Sequence, residues 1–572
     1  MSDIPLVSLC IIVGNEEVYI HRFLESFKGV YDELCAVRAC GSVVPDRTLD
    51  ILKDAGAIVG EYKNRKEFAD WPHTDDFSAA RQQAYMLASG TYCLWADADD
   101  IIDEASKQNI RTHAGKGEAD CYLYPYSTGN DHKVWRRKLV RRQLFVDGRA
   151  YWLGAVHEDI AFQKTPITAM NAEGVEFTHA PDKFKQTSLD RNIRMISHQI
   201  SHTHEGLYYL QQDYFRSHQY DKAMPMSKAA LAMPDLPQCN RYEVLLNIAN
   251  MIVEKAPDES RQYCLQAVGV DPSRREALCM LACISIDAGR NEEALAYARM
   301  FNKLPYPERN KPWNLKLRFY DWLGVHIFAQ AQRLNGFEDQ AIENENAMFK
   351  SAGAWFSLIH ATQGRHEMAQ ATRNEWFVKA DEPKRVEHIF AIDHYDTKSL
   401  RALAQHRHVV CTPGGSCNVA FNEAAKVATG KILIAVADDN HPPQKWDKLI
   451  LEALGDKAEK EAVLFVGNGF HEKHPTRPVL QTSPVLTRAR YEKQGHVFGP
   501  YPSMYADNEF TWRALQDGIV IERTDIEIEH RHPMYGKNGA VQDDTYASTN
   551  DQTKYDEGYR LFIERNTGVM PL

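Results

Sequence analysis

Tyr92-Cys93-Leu94-Trp95-Ala96 is an apolar run that passes without a break into Asp97-Ala98-Asp99-Asp100. A short apolar run closed by a polar turn reads as a buried strand. Alternate carboxylates at its carboxyl end, Asp97 and Asp99, point to the same side and can hold a hard divalent cation through oxygen, which in turn neutralises a diphosphate. An acidic turn that merely caps the next helix is the plainer alternative. Outward from this stretch, Val7 to Val13 and Leu34 to Val37 read as further strands, with a helix around Ile20 to Phe27 between them. Strand and helix in alternation from Pro5 to about Asp190 predict an α/β layer with a mostly parallel sheet, whose ligands bind beyond the carboxyl ends of the strands.

The chain has 572 residues, enough for three or four folded units. Apolar residues make up 44% and charged residues 25%, which excludes disorder as the main state. Lys and Arg number 67 against 78 Asp and Glu, a balance of −11 that disfavours a globally basic nucleic-acid binder. The eleven cysteines form no Cys-x-x-Cys pair, so they read as structural thiols of a reducing compartment. The apolar run Leu9 to Val13 stops at Gly14-Asn15-Glu16-Glu17, unlike a signal peptide, and no stretch of about 18 apolar residues occurs. The expectation is a cytoplasmic protein with no integral membrane segment.

From about Arg191 to Gly364 strand signals vanish and apolar residues recur at helical spacing. Leu207, Leu210, Tyr214, Tyr220, Ala223 and Ala230 followed by Pro234 fall where tetratricopeptide helix pairs place their packing residues, and Gly289, Ala294 and Ala298 with Pro305 repeat the later half. A generic helical bundle is the alternative. After His366 the alternation returns, with strands at Val386 to Ile392, His408 to Cys411 and Ile432 to Val436. The expected division is a first α/β domain over 1–190, a tetratricopeptide-like all-α domain over 191–365 and a second α/β domain over 366–572.

Three segments join the Asp97–Asp99 pair in a fixed order. They are Val13-Gly14-Asn15-Glu16-Glu17, Asp76-Phe77-Ser78-Ala79-Ala80-Arg81 and Gly154-Ala155-Val156-His157-Glu158. Together they resemble family 2 glycosyltransferases of the GT-A fold over most of residues 5 to 185. The resemblance implies an inverting transfer of sugar from a nucleotide-diphosphate donor to an acceptor hydroxyl. It implies Glu158 as the general base, Asp97, Asp99 and His179 at a site for Mn²⁺ or Mg²⁺, and Asn15, Glu16 and Arg81 around the donor. Arg38 stands where the family carries an acid that holds the nucleotide base, which leaves the base open.

Asn422-Glu423-Ala424-Ala425, then Gly430 to Asn440 and Pro442-Pro443 with Trp446, resemble the same family a second time. That resemblance implies Asp438 and Asp439 at the diphosphate and metal, with His530 and His532 as late metal ligands. It further implies Asp507 as catalyst, with Glu509 left open, and Asp393, Asp396 and Asn422 at the donor. The first strand of this lobe is expected around Ala369 to Arg373. Two acidic strand ends raise the expectation of two successive transfers, against a degenerate second lobe that only binds glycan.

The acceptor stays open among glycan, protein and hydroxylated bases of viral DNA. The basic run Lys133, Arg136, Arg137, Lys138, Arg141 and Arg142 could grip DNA phosphates, but the net charge speaks against that, and Lys138 to Phe145 resemble a strand the same family carries before its His-Glu segment, which favours a solvated or donor-side role. His471-Glu472-Lys473-His474 has its histidines three apart rather than four, and Gly414-Gly415 and Gly430-Lys431-Ile432 lack the rest of a phosphate-binding loop, so neither a metalloprotease nor a kinase is indicated.

Overall fold

The computed structural model describes residues 4–571 apart from 128–132, 164–165, 181–185, 200–202, 307–315, 354, 412–415, 470–478, 532, 534–542, 544–545 and 548–550. It divides into two compact units, Met1–Ile284 with Leu304–Arg318, and Ser285–Lys303 with Phe319–Leu572.

In the first unit, strand β1 (Val7–Val13) is buried along its whole length between parallel neighbours β2 (Glu33–Arg38) and β4 (Tyr92–Ala96), and β3 (Ile58–Glu61) extends the parallel half beyond β2. The strand is apolar on both faces because both are covered. Phe23 and Phe27 of helix Ile20–Phe27 pack with Leu9 and Ile11, while Ala80, Ala84 and Tyr85 of helix Phe77–Leu87 pack with Cys10, Cys35 and Cys93. Then come β5 (Asp100–Ile102), β6 (Cys121–Ser127), β7 (Lys133–Arg141), β8 (Ala150–Leu153), β9 (Asp159–Phe162), β10 (Ala169–Asn171) and β11 (Phe177–His179). The sheet order is β3-β2-β1-β4-β7-β6-β11-β5, with β10 beside β6 and β8–β9 a separate hairpin. Chain order reverses between β1 and β4, and β7 runs antiparallel to β4, so the crevice at the ends of β1 and β4 is the switch point where ligands bind in such sheets.

The second unit repeats this plan. Strands β12 (Phe356–Thr362), β13 (Val386–Asp393), β14 (His408–Cys411), β15 (Ile432–Val436), β16 (Asn440–His441), β17 (Val463–Gly467), β18 (Val485–Thr487), β19 (Val520–Glu527) and β20 (Glu529–His530) form a sheet ordered β14-β13-β12-β15-β18-β17-β19 and a small β16–β20 ladder. A buried polar buckle is repeated too. In the first sheet Ser8 Oγ donates to Glu33 at 2.5 Å and accepts from the Gly90 amide at 2.9 Å; in the second, Ser357 Oγ donates to Glu387 and accepts from the Gly430 amide at 2.7 Å. A Cβ on Gly90 or Gly430 would stand 2.5 or 2.6 Å from that hydroxyl, so both positions require glycine.

The expected first strand of the second lobe is corrected here. Ala369 to Arg373 lie in helix His366–Lys379, and the strand is β12, ahead of residue 366. Its apolar pattern is broken by Ser357, His360 and Thr362, which are buried on polar partners distant in sequence.

Between the sheets in chain order the structure is all helix, so the fold class expected from the sequence is the one observed. In the first unit His204–Arg216 and Tyr220–Ala232, then Gln238–Ile252 and Pro257–Val270, pack as pairs with Leu210, Ala223, Ala230 and Ser260 buried. In the second, Leu323–Leu334 pairs with Glu338–Ala352 through a turn at Gly336 with φ 79°. All eleven cysteines are free, most of them buried. No helix among the described residues is long and apolar enough to cross a membrane.

Candidate functional site

The ends of β1 and β4 open into a cavity of about 960 Å³ lined by Asn15, Glu16, Arg81, Asp97, Asp99, Glu158 and His179. All seven first-lobe candidates therefore meet in one hollow. At its floor is Arg81, on helix Phe77–Leu87, only 4% exposed and packed against the rings of Trp95 (4.6 Å) and Trp152 (5.2 Å). Its Nη2 donates to Asp97 Oδ1 at 2.5 Å and its Nε to Glu158 Oε1 at 2.7 Å. One guanidinium fork thus fixes the acid of β4 and the acid of the later loop relative to each other. Burial works against the charge on Arg81, but Asp97 and Glu158 outweigh it and hold the guanidinium protonated. Burial likewise opposes ionisation of Asp97, and Arg81 and Lys138 pull its carboxyl well below the usual range.

The helix that presents Arg81 begins where the sequence predicts, with Asp76 accepting from the Ala79 amide at 2.9 Å as N-cap. The loop that presents Glu158 is bolted to the same helix. Ala155 O accepts from the Phe77 amide at 2.8 Å, and Gly154 O accepts from Ser78 Oγ.

Asp97, Asp99, Asp100 and His179 offer ligand atoms within 4.8 Å of one another, a hard oxygen-rich set with one imidazole that suits a divalent cation. His179 Nδ1 lies 3.2 Å from Asp99 and 3.5 Å from Asp100. Burial opposes its protonation, yet these two carboxylates push the imidazole up to about 10. Asp100 is turned inward, where it accepts from Tyr126 Oη (2.7 Å), the Asp97 amide (3.0 Å) and Lys138 Nζ (3.2 Å). Lys138 and Asp100 are both fully buried, and Lys138 Nζ stands 3.4 Å from the centre of the Trp95 ring. Burial brings Lys138 down to about 8 against the pull of Asp100 and Asp97.

Sequence reasoning placed Lys138 in a basic run, and the alternation of β7 was the signal that one of its cations faces inward. Two more of the run are matched by acids: Arg141 bonds Asp120 at 3.1 Å and Arg137 pairs with Asp159. Arg136 of the same run lines the cavity opposite the acids; sequence reasoning missed the other cations there, Arg191 and Arg194 from helix Gln186–Gln199 of the helical segment. Arg191 has no carboxylate ion pair among the described residues, and burial lowers its guanidinium. Asn15 lines the cavity while its amide holds Val44 O at 2.7 Å.

In the second lobe Asn440 accepts from the Ala437 amide at 2.8 Å, the bond that Asp100 makes with Asp97 in the first. By that match Ala437 stands where Asp97 does, Asp438 matches Ala98 and Asp439 matches Asp99. Asp438 is buried on His360 Nε2 (2.9 Å) and Thr362 Oγ1 (3.2 Å), whereas Asp439 lies 3.2 Å from His530 as Asp99 does from His179. Phe421 stands at the place of Arg81, counting back from the helix ends Ala428 and Ala88. Asp507 is pushed up by burial, and the nearby His530 works against that rise. Glu509 is held by Arg565 at 2.9 and 3.0 Å.

Asp393 ends β13 and accepts from Tyr395 Oη at 3.1 Å. Asp396 caps helix Thr397–Ala402, and the Asn422 amide is engaged with the backbone of Val497 and Phe498. His532, His471 to His474, Gly414 and Gly415 lie outside the described residues. Among the described residues the first-lobe quartet alone gathers three or more acid, histidine or cysteine ligands within reach of one ion.

Residues 8–171, which hold most of the first sheet, match the family model Glycosyl transferase family 2. Among particular proteins, the chain is similar to the SPbeta prophage-derived glycosyltransferase SunS of Bacillus subtilis, 28% identical over 162 residues that cover 28% of this chain and 35% of that one. It is also similar to the TPR repeat-containing protein Synpcc7942_0270 of Synechococcus elongatus, 38% identical over 113 residues that cover 20% of this chain and 25% of that one. The matches thus span a quarter to about a third of the length of these curated relatives. Among solved structures, S. aureus TarS aligns at 14% identity over 46% of this chain and 53% of that one, with a TM-score of 0.24.

Proposed function

We propose that the chain is an inverting glycosyltransferase whose first-lobe cavity moves a sugar from a nucleotide-diphosphate donor to an acceptor hydroxyl. The observation that carries this reading is Arg81 holding Asp97 and Glu158 together at the switch point of a family 2 sheet. Asp99, His179 and the second oxygen of Asp97 would hold Mn²⁺ or Mg²⁺, which when bound supplies positive charge against the diphosphate. Glu158 draws the proton from the acceptor hydroxyl, whose oxygen attacks the anomeric carbon as the bond to the diphosphate breaks. Arg136 and Arg191 form a cationic wall for the departing diphosphate.

The second lobe we read as a glycan-binding domain without turnover, because Ala437 and Phe421 replace the Asp97 and Arg81 positions. The pairing of Arg137, Lys138 and Arg141 with acids, together with the net charge of −11, favours a glycan or protein hydroxyl over a DNA acceptor. A panel of nucleotide sugars, each with Mn²⁺ or Mg²⁺, tests the reading through thermal stabilisation and donor hydrolysis. At 100 times its Kd a true donor stabilises by about 2.7 kcal/mol. Asp99→Asn is expected to abolish the metal-dependent part, and a panel in which no nucleotide sugar shifts Tm sinks the proposal.

A further inference from the structure

The helical segment contributes a residue whose burial the reaction above leaves unexplained. Asp213, on helix His204–Arg216, is 0% exposed, and neither carboxylate oxygen has a hydrogen-bond partner. A buried carboxylate needs a counter-group. The group within ion-pair reach is His157, whose Nε2 lies 3.5 Å from Asp213 Oδ2.

His157 is unusual in its own right. It holds a left-handed backbone with φ 56°, a conformation that costs free energy in a non-glycine residue and persists only where the surroundings enforce it. The enforcement comes from the helical segment. Tyr209, one turn before Asp213, stacks on the imidazole with centroids 4.2 Å apart and planes 15° from parallel. Val156 next to it is buried against Met195, Ile196 and Leu210. His157 lines the same cavity as Glu158, and Nε2 is its buried nitrogen. With Nε2–H turned toward Asp213, the lone pair falls on Nδ1, the nitrogen left open.

We propose that His157 is a second proton acceptor of this cavity and that Asp213 is its positioning residue. The inference rests on the transferase reading above. As the acceptor oxygen attacks the anomeric carbon, its O–H bond breaks and the proton passes through Glu158 to Nδ1 of His157, while the electron pair of the breaking bond leaves with the nucleoside diphosphate. Glu158 thereby regains the charge that Arg81 is built to hold. The proton then rests on an imidazole beside the Asp213 carboxylate rather than on the carboxylate that Arg81 pairs. The charged groups around His157 fit this role. Asp213 and Glu158 favour the imidazolium, and Arg191, which faces both carboxylates, and Arg136 in the cavity wall oppose it.

The test compares wild type, His157→Gln and Asp213→Asn at saturating donor. In His157→Gln kcat is expected to fall about 100-fold and the acid limb of its pH profile to be displaced from that of the wild type, and Asp213→Asn is expected to lower kcat with donor KM unchanged. An acid limb shared by wild type and His157→Gln overturns the proposal, as does an Asp213→Asn enzyme altered only in Tm and donor KM. Histidine ¹⁵N NMR of the full chain reads the tautomer without turnover: Nε2–H in the wild type supports the pair, and Nδ1–H overturns it. If no nucleotide sugar binds, the transferase reading fails by itself while the tautomer still decides the state of His157.

Discussion

The two sheets share strand order, strand directions and the Ser–Glu–Gly buckle, yet the acidic ends of their central strands differ in charge. In the first, Arg81, Asp97, Lys138 and Asp100 form two ionic pairs beneath the cavity. In the second, Phe421 and Ala437 occupy the places of Arg81 and Asp97, and a neutral bond from Ser483 Oγ to Asn440 Oδ1 (3.0 Å) replaces that from Lys138 to Asp100. The scaffold that builds a fold and the charges that build a site have therefore changed independently. Buried ion pairs contribute little net stability when their apolar or neutral replacements pack well. Their presence in the first sheet is accounted for by chemistry, and their removal from the second leaves the fold intact.

The largest effect expected comes from giving the first sheet the residues of the second. Arg81→Phe combined with Asp97→Ala is expected to lower sugar transfer by about 10³-fold or more, as the loss of preorganised charge at a reacting centre does. Asp439→Asn in the second sheet is expected to leave turnover of the nucleotide-sugar donor within about twofold. Product analysis by mass spectrometry decides it: a product that disappears with Asp439→Asn would break the comparison and restore two transfers.

The neutral and ionic bonds under the two acidic turns offer a second, smaller contrast. Lys138→Met leaves the fully buried Asp100 without its cation, a change that costs about 3–5 kcal/mol when a buried pair is broken on one side. Ser483→Ala removes one neutral donor, for about 1 kcal/mol. Denaturant unfolding of each variant against the wild type, compared through midpoints at a common slope, measures both. Equal costs would mean that Lys138 and Asp100 are not held as ions.

Much of this architecture is legible before any coordinates. Leu9 to Val13, Tyr92 to Ala96 and Ile432 to Val436 are buried on both faces, so their apolar runs are unbroken and the strands stand out. What stays hidden depends on partners far along the chain. β12 escapes notice because His360 and Thr362 are buried on Asp438, and Asp213 reads as one more acid on a helix until the fold sets it against His157. Asp438-Asp439 looks like the counterpart of the first acidic pair, and only the Asn440 bond to the Ala437 amide shows that the register is offset by one.

The smallest effect separates capping from donor binding at Asp396. Its carboxylate accepts from the Ser399 amide at 3.1 Å and from the Gly364 amide at 2.6 Å. Asp46 plays the same part in the first sheet, accepting from the Thr48 amide at 2.9 Å and the Glu17 amide at 3.0 Å. Partial burial raises the carboxyl of Asp396, but the bonds from Gly364 and Ser399 outweigh it and hold the group below the usual range. A carboxyl lowered on folding adds stability that is present above its unfolded value of about 3.9 and is lost as pH falls through the folded value. Asp396→Ala and Asp46→Ala are each expected to cost about 1 kcal/mol at pH 7, the worth of a helix or turn cap, and progressively less below about pH 4 as the wild-type carboxyl protonates. Neither change is expected to alter donor KM. A rise in donor KM with Asp396→Ala, at unchanged stability, would assign that residue to the donor and return to the second sheet part of the function argued here for the first.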